Sequence, residues 1–194
     1  PCSVLQLSRM KRTFQTSLLV LIVFATFAVP VYATGVDVKL QAAIFLKALS
    51  YDSGIPGRSD KNLVIHVVLD GATSGQKADI TAGFATISGA SVGGKKVTVD
   101  TLTAGELAGA VAKPGVHVIY LPENSAQGTI DAALTLGSTR KIPVLAGSEP
   151  IARKGAAIGI TIAAGKPQII VNLKKSVEQG LALSAQFLKL AKVI

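Results

Sequence analysis

Apolar residues in this chain follow two rhythms that take turns. Asp37 stands before a segment in which Val38, Ala42, Phe45 and Leu49 recur at helical spacing, which predicts a helix capped by Asp37 and ending at the turn-rich DSGIPGRSDKN. Leu63 to Asp70, LVIHVVLD, is instead a continuous run dominated by β-branched residues, the pattern of a strand buried on both faces. Gly71 to Gly75 break that run. Lys77 to Ser88 then predict a helix with Ile80, Phe84 and Ile87 on one side and Gly89 past its end. The alternation continues with KKVTVDTL as a strand, TAGELAGAVAK as a helix, GVHVIYLP as a strand, SAQGTIDAALTL as a helix and KIPVLAG as a strand.

Buried strands separated by helices of about ten residues indicate βαβ units. The expected fold is therefore α/β: a three-layer, Rossmann-like, mainly parallel sheet. The rhythm changes at AAIGITIAAGKPQIIVNL, where two strand-like runs flank the turn Gly165-Lys166-Pro167 and predict an antiparallel pair at the end of the sheet. Beyond it Asn172 caps a short turn, Gly180 interrupts, and Ser184 caps a closing C-terminal helix. Leu183, Phe187, Leu190 and Ile194 form the predicted apolar stripe of that helix, beside Leu188 and Ala191, while Lys175, Glu178, Gln186 and Lys189 fall outside it. The stripe is expected to cover the core, with partner docking as the alternative.

The first residues carry a different signal. Met10 to Ala33 read as a secretory signal peptide: Lys11 and Arg12 are basic, Leu18 to Val29 are apolar, and Val31-Tyr32-Ala33 places small residues at the cleavage positions. The apolar run is about 12 residues, short of the roughly 20 that a membrane span needs. Cleavage is expected after Ala33, which divides the sequence into an upstream extension and signal, 1–33, and a single α/β domain, 34–194. The expected location is the periplasm. Cys2 is the only cysteine, so the processed chain has no thiol for a disulfide, a nucleophile or a metal.

Charge excludes further classes. Arg9, Lys11 and Arg12 precede Thr34, which leaves 17 basic against 11 acidic residues in 34–194, a net +6. The basic residues are scattered and not interleaved with aromatics, and the same segment holds only Phe45, Phe84, Phe187, Tyr51, Tyr120 and no tryptophan. Nucleic-acid binding has no focused patch or stacking platform to rest on. A mildly basic surface favours anionic small molecules or an anionic membrane face.

Three motifs invite chemistry. Gly89-Ala90-Ser91-Val92-Gly93 matches the G-x-S-x-G elbow of serine hydrolases, with Asp100 and His117 following, but a predicted helix precedes it and a strand follows, the reverse of the strand–turn–helix an elbow requires. Gly71-x-x-x-Gly75-x-Lys77 follows a strand and opens a helix, a setting in which amides can hold an anion, but its spacing misses the Walker pattern and no Ser or Thr follows the lysine. His66 and His117 lie in predicted core strands without a third ligand, so they are expected as hydrogen-bonded core residues, with no metal and no cofactor. The chain is therefore not expected to be an enzyme. What remains is positional: ligands of open parallel sheets bind beyond the carboxyl ends of the strands. Those ends supply Asp70, Ser74, Lys77, Glu123 and Ser148 as candidate ligand-binding residues, alongside the alternative that they are ordinary solvated loops.

Ile170-Val171-Asn172-Leu173, Gly180-Leu181, Leu183-Ser184 and Phe187-Leu188-x-Leu190-Ala191 resemble the closing motif of the YfiR-like periplasmic proteins, and LQAAIFLKALSYD, Leu40 to Asp52, is similar to that family's first helix. Gly155 to Ile160 fits its penultimate strand. Where family members place an aromatic and Trp-Pro after the first helix, this chain has Tyr51 and later Pro56, and it lacks the cysteines of the best-known members, so a redox-controlled mechanism does not transfer. The resemblance implies a non-enzymatic periplasmic regulator. The best-known members restrain a membrane-bound diguanylate cyclase by binding its periplasmic sensor domain, and others stand near sensor kinases. The expected partner is accordingly a membrane signalling protein with a periplasmic sensor domain. A small-solute or anion-binding role is the alternative, and a homodimer stays open.

Overall fold

The computed structural model describes residues 35–194, which fall within one compact unit, Thr34–Ile194. The expected signal segment and its cleavage site lie outside the described residues. The elements in order are α1 (Val38–Leu49), β1 (Asn62–Leu69), a 3-10 turn (Gly71–Gln76), α2 (Lys77–Ala85), β2 (Ser91–Val92), β3 (Lys95–Thr103), α3 (Ala104–Ala110) and β4 (Val116–Leu121). They continue with α4 (Gln127–Arg140), β5 (Val144–Ala146), α5 (Glu149–Lys154), β6 (Ile158–Ala163), β7 (Lys166–Val171), α6 (Leu173–Glu178), α7 (Ala185–Leu188) and β8 (Lys192–Val193).

All strands join one sheet in the order β2-β3-β1-β4-β5-β6-β7-β8. Neighbours from β3 through β6 pair in parallel, β2 and β7 pair antiparallel to β3 and β6, and β8 runs parallel to β7. Side-chain alternation divides the central strands between two cores. Leu63, Ile65, Val67, Val116, Val118, Tyr120 and Leu145 pack with Ala42 and Phe45 of α1 and Ile80 and Phe84 of α2. Val68, Ile119, Leu121, Val144 and Ala146 pack on the other face with Leu107, Ile130, Ala133 and Ile151. The three-layer α/β architecture expected from the sequence is thus present, and its cause is the double-sided burial of β1 and β4.

The helices start where the sequence offers caps. Asp37 accepts from the Leu40 amide at 3.0 Å, and Thr103 and Glu106 form a reciprocal capping box at α3. Gln41, a polar residue on the buried face of α1, is satisfied at both ends: its amide donates to Val36 C=O and its oxygen accepts from the Tyr120 hydroxyl at 2.8 Å.

Four local expectations need correction. The predicted helix over Lys77 to Ser88 ends at Ala85, and a 3-10 turn precedes it. The stretch Gly89 to Gly93 contains β2, which turns through Gly93 and Gly94, at φ +55° and +79°, into β3. Positive φ at both central residues is the two-residue hairpin geometry glycine permits. The β6–β7 pair does not end the sheet, because β8 adds beyond it. The closing helix is a single turn, Ala185–Leu188, so the helical spacing does not carry past Phe187: Phe187 is buried, but Leu190 is 69% exposed. After Leu188 the chain leaves the helix and runs parallel to Ile170 and Val171, a long-range pairing that helical periodicity does not foresee.

The two ends of the described chain pack together. Buried Asp52 accepts from the amides of Gly54 and Ala182, both at 2.9 Å, and bridges Leu183, while the Tyr51 and Phe187 rings stack at 5.4 Å. The segments that carry the family resemblance therefore form one contact.

Candidate functional site

The chain leaves β1 toward β3 on one side and later places β4 on the other, so the loops after β1 and β4 diverge at a topological switch point. Asp70 ends β1 there. One carboxylate oxygen accepts from the Thr73 amide at 3.1 Å, and the other accepts from the Ala126 amide, just before α4, at 2.8 Å. Burial raises the Asp70 pKa, but hydrogen bonds from the Ala126 amide, the Thr129 hydroxyl and the Thr73 and Ala72 amides outweigh it and hold the group below its ordinary value. The Thr73 and Ala126 amides are thus bound to a carboxylate of the chain itself. Ser74 is exposed, its hydroxyl donating to Gly71 C=O at 2.8 Å, and Lys77 is exposed at the start of α2.

The other two candidates meet elsewhere. Glu123 and Ser148 line a cleft of about 80 Å³ with Gly35, Gly147, Glu149 and Thr161 at the ends of β4, β5 and β6. Asp70, Ser74 and Lys77 do not line it. Backbone and side chains converge at Gly147, where an added Cβ would stand 2.8 Å from the Glu123 amide nitrogen and 3.0 Å from the Tyr120 hydroxyl. Hydrogen bonds from Arg153 and then from Lys192, the latter at 3.1 Å, hold Glu149 below its ordinary pKa. Drug-sized ligands occupy pockets of about 300–1,000 Å³, so this cleft accommodates at most a very small group.

On the opposite face of β1 and β4, His66 and His117 join through Nε2 and Nδ1 at 2.9 Å, and His117 Nε2 lies 2.8 Å from Lys113 C=O. A carbonyl only accepts, which assigns the proton to His117 Nε2; His117 Nδ1 then accepts from His66 Nε2–H. His66 Nδ1 is left buried without a partner, 3.8 Å from an Asp100 oxygen. Burial chiefly, with the His117 and Lys113 charges, lowers the His66 pKa to about 4 against the opposing pull of Asp100. The pair is a hydrogen-bonded core feature, and among the described residues no group of three or more His, Cys, Asp or Glu could hold a metal. Ser91 sits on the β2–β3 hairpin, a strand–turn–strand setting that cannot serve as a nucleophile elbow.

The remaining features lie on the outside. Ala104, Leu107 and Ala108 of α3 and Ala132 and Leu136 of α4 line an apolar groove of about 410 Å³. At the β8 flank Leu173, Val177, Leu190 and Val193 are exposed, Val177 by 67%. The sequence reading placed Leu190 in a core-covering stripe, with partner docking as the alternative, and did not foresee Leu173 and Val177 as exposed. Among the described residues no helix is long and apolar enough to cross a membrane.

No curated protein matches the chain. Among solved structures it is similar to an ABC domain in complex with L-Trp from Streptococcus pneumonia, at TM-score 0.53 and 13% identity over 81% of this chain and 62% of that one. It is also similar to a conserved domain protein from Vibrio cholerae, at TM-score 0.52 and 16% identity over 80% of this chain and 59% of that one. The chain thus spans about three fifths of the length of these structures, and at such identities the likeness is one of fold. The match by sequence is more specific and embraces both ends that pack together through Tyr51 and Phe187: residues 38–192 fit a single family description, and the chain belongs to the YfiR/HmsC-like family, DUF4154.

Proposed function

We propose that the protein is exported, processed after Ala33 and retained in the periplasm, where the single domain 34–194 binds and modulates a membrane signalling protein of the diguanylate cyclase or sensor kinase type, without chemistry of its own. Family membership supports this reading, and one observation carries it within the family. At the switch point the Asp70 carboxylate is taken up by the Ala126 amide, whereas apolar surface is left open on the outside, in the α3–α4 groove and on the β8 flank. Open apolar surface is the usual mark of a contact with another molecule.

The second reading, a periplasmic binding protein for a small solute or anion, draws on the cleft that brings Glu123 and Ser148 together. Pull-down from solubilised membranes and calorimetry with small anions separate the two. Capture of a sensor or cyclase that survives Glu123→Ala and Ser148→Ala is the expected result. Capture of no membrane protein, together with a solute whose micromolar binding those substitutions abolish, would overturn the regulatory reading.

A further inference from the structure

We infer that the β8 flank is a lipid-binding surface that seats the domain on an anionic bilayer. The Leu173 amide bonds to Ile194 C=O at 3.3 Å, which brings the start of α6 beside the end of β8. Leu173 and Val177 stand one helical turn apart on α6, Leu190 and Val193 flank Lys192 in the returning chain, and all four are exposed. None of them lines either hollow described above.

Charge identifies the occupant. From Leu173 to Ile194 the chain carries Lys174, Lys175, Lys189 and Lys192 against the single acid Glu178. Lys175 is paired with Glu178 at 2.8 Å and Lys192 with Glu149 at 3.1 Å, while Lys174 and Lys189 are exposed and make no ion pair among the described residues. Aliphatic side chains interspersed with unpaired lysines match a surface that offers hydrocarbon and negative charge together, as the headgroup region of an anionic bilayer does. A protein partner at such a site needs shape complementarity, and neither hollow described above is built from these side chains. The surface goes beyond the regulatory reading: it fixes where the domain stands, whichever membrane protein it meets.

The test is flotation of the compact unit Thr34–Ile194, which contains every residue of both cores, with vesicles of phosphatidylcholine alone or with about 30% phosphatidylglycerol at about 0.1 M salt. Binding is expected only to the anionic vesicles. Lys174→Ala and Lys189→Ala should each weaken it about fivefold, and Val177→Asp with Leu190→Asp should abolish it while the melting temperature stays unchanged. Equal binding to both vesicle types, or anionic binding that the aspartates leave intact, overturns the proposal. So does an absence of vesicle binding combined with capture of a membrane protein that the aspartates abolish, which assigns the flank to a protein partner and leaves the regulatory reading standing.

Discussion

Acidification from pH 7 to pH 4 puts a proton on His66 in the unfolded chain well before the folded chain accepts one. At pH 7 neither state holds it. Below the ordinary value of 6.5 the unfolded state binds first, and the folded state follows only near pH 4, because the ring is buried at 1% exposure with His117 and Lys113 on the side that disfavours charge. The folded state is therefore at its full stability above pH 6.5 and loses stability as pH falls to about 4, where the loss levels off. At about 1.4 kcal/mol per pH unit the interval is worth roughly 3 kcal/mol, a large share of an ordinary domain's stability. Urea unfolding at several pH values, for the wild type and His66→Gln, reads this directly. The glutamine keeps an amide donor but does not titrate, so the gap between the two curves should change by about 3 kcal/mol from pH 7 to pH 4. Asp100→Asn removes the one opposing charge and should carry the wild-type fall to still lower pH. Parallel curves for wild type and His66→Gln would refute the assignment of this loss to His66.

At the C-terminus, Phe187→Ala should cost about 3 to 5 kcal/mol in denaturant unfolding, whereas Leu190→Ala should stay within about 0.5 kcal/mol as an exposed change; equal costs would return Leu190 to the core. Gly147→Ala should destabilise by about 1 to 3 kcal/mol through overpacking against Glu123 and Tyr120, measured as a lowered urea midpoint with an unchanged slope. Asp70→Ala should cost about 1 to 2 kcal/mol through the lost cap, and hydrogen exchange at the Ala126 and Thr73 amides should accelerate; unchanged protection of Ala126 would show that Asp70 does not tie the two loops.

Much of the fold was legible because its cause is local. LVIHVVLD and GVHVIYLP each announce a strand covered on both faces, and Asp37 and Ser184 announce helix starts that the structure shows. The C-terminal error is equally physical. The spacing of Phe187, Leu190 and Ile194 suits a helix, but the segment is decided by a pairing of Lys192 and Val193 with Ile170 and Val171, and no periodicity encodes that choice. The site divides the same way. His66 and His117 were legible as core histidines, yet their mutual bond spans 51 positions and needs β1 beside β4. Asp70 was legible as a strand-end residue, but its partner Ala126 is 56 positions away, so the sequence could show a carboxylate at the switch point and not that it ties the loop after β1 to the one before α4.

Asp70 can be viewed as a tethered ligand. A free carboxylate of ordinary affinity would come and go with its concentration, but one attached to the chain acts at an effective concentration set by the backbone, and in short tethers that is in the millimolar range or above. The amides of Thr73 and Ala126 therefore see an occupant that supply and dilution do not remove. Those two amides are occupied from the moment of folding, so the geometry around them behaves as a constant of the molecule.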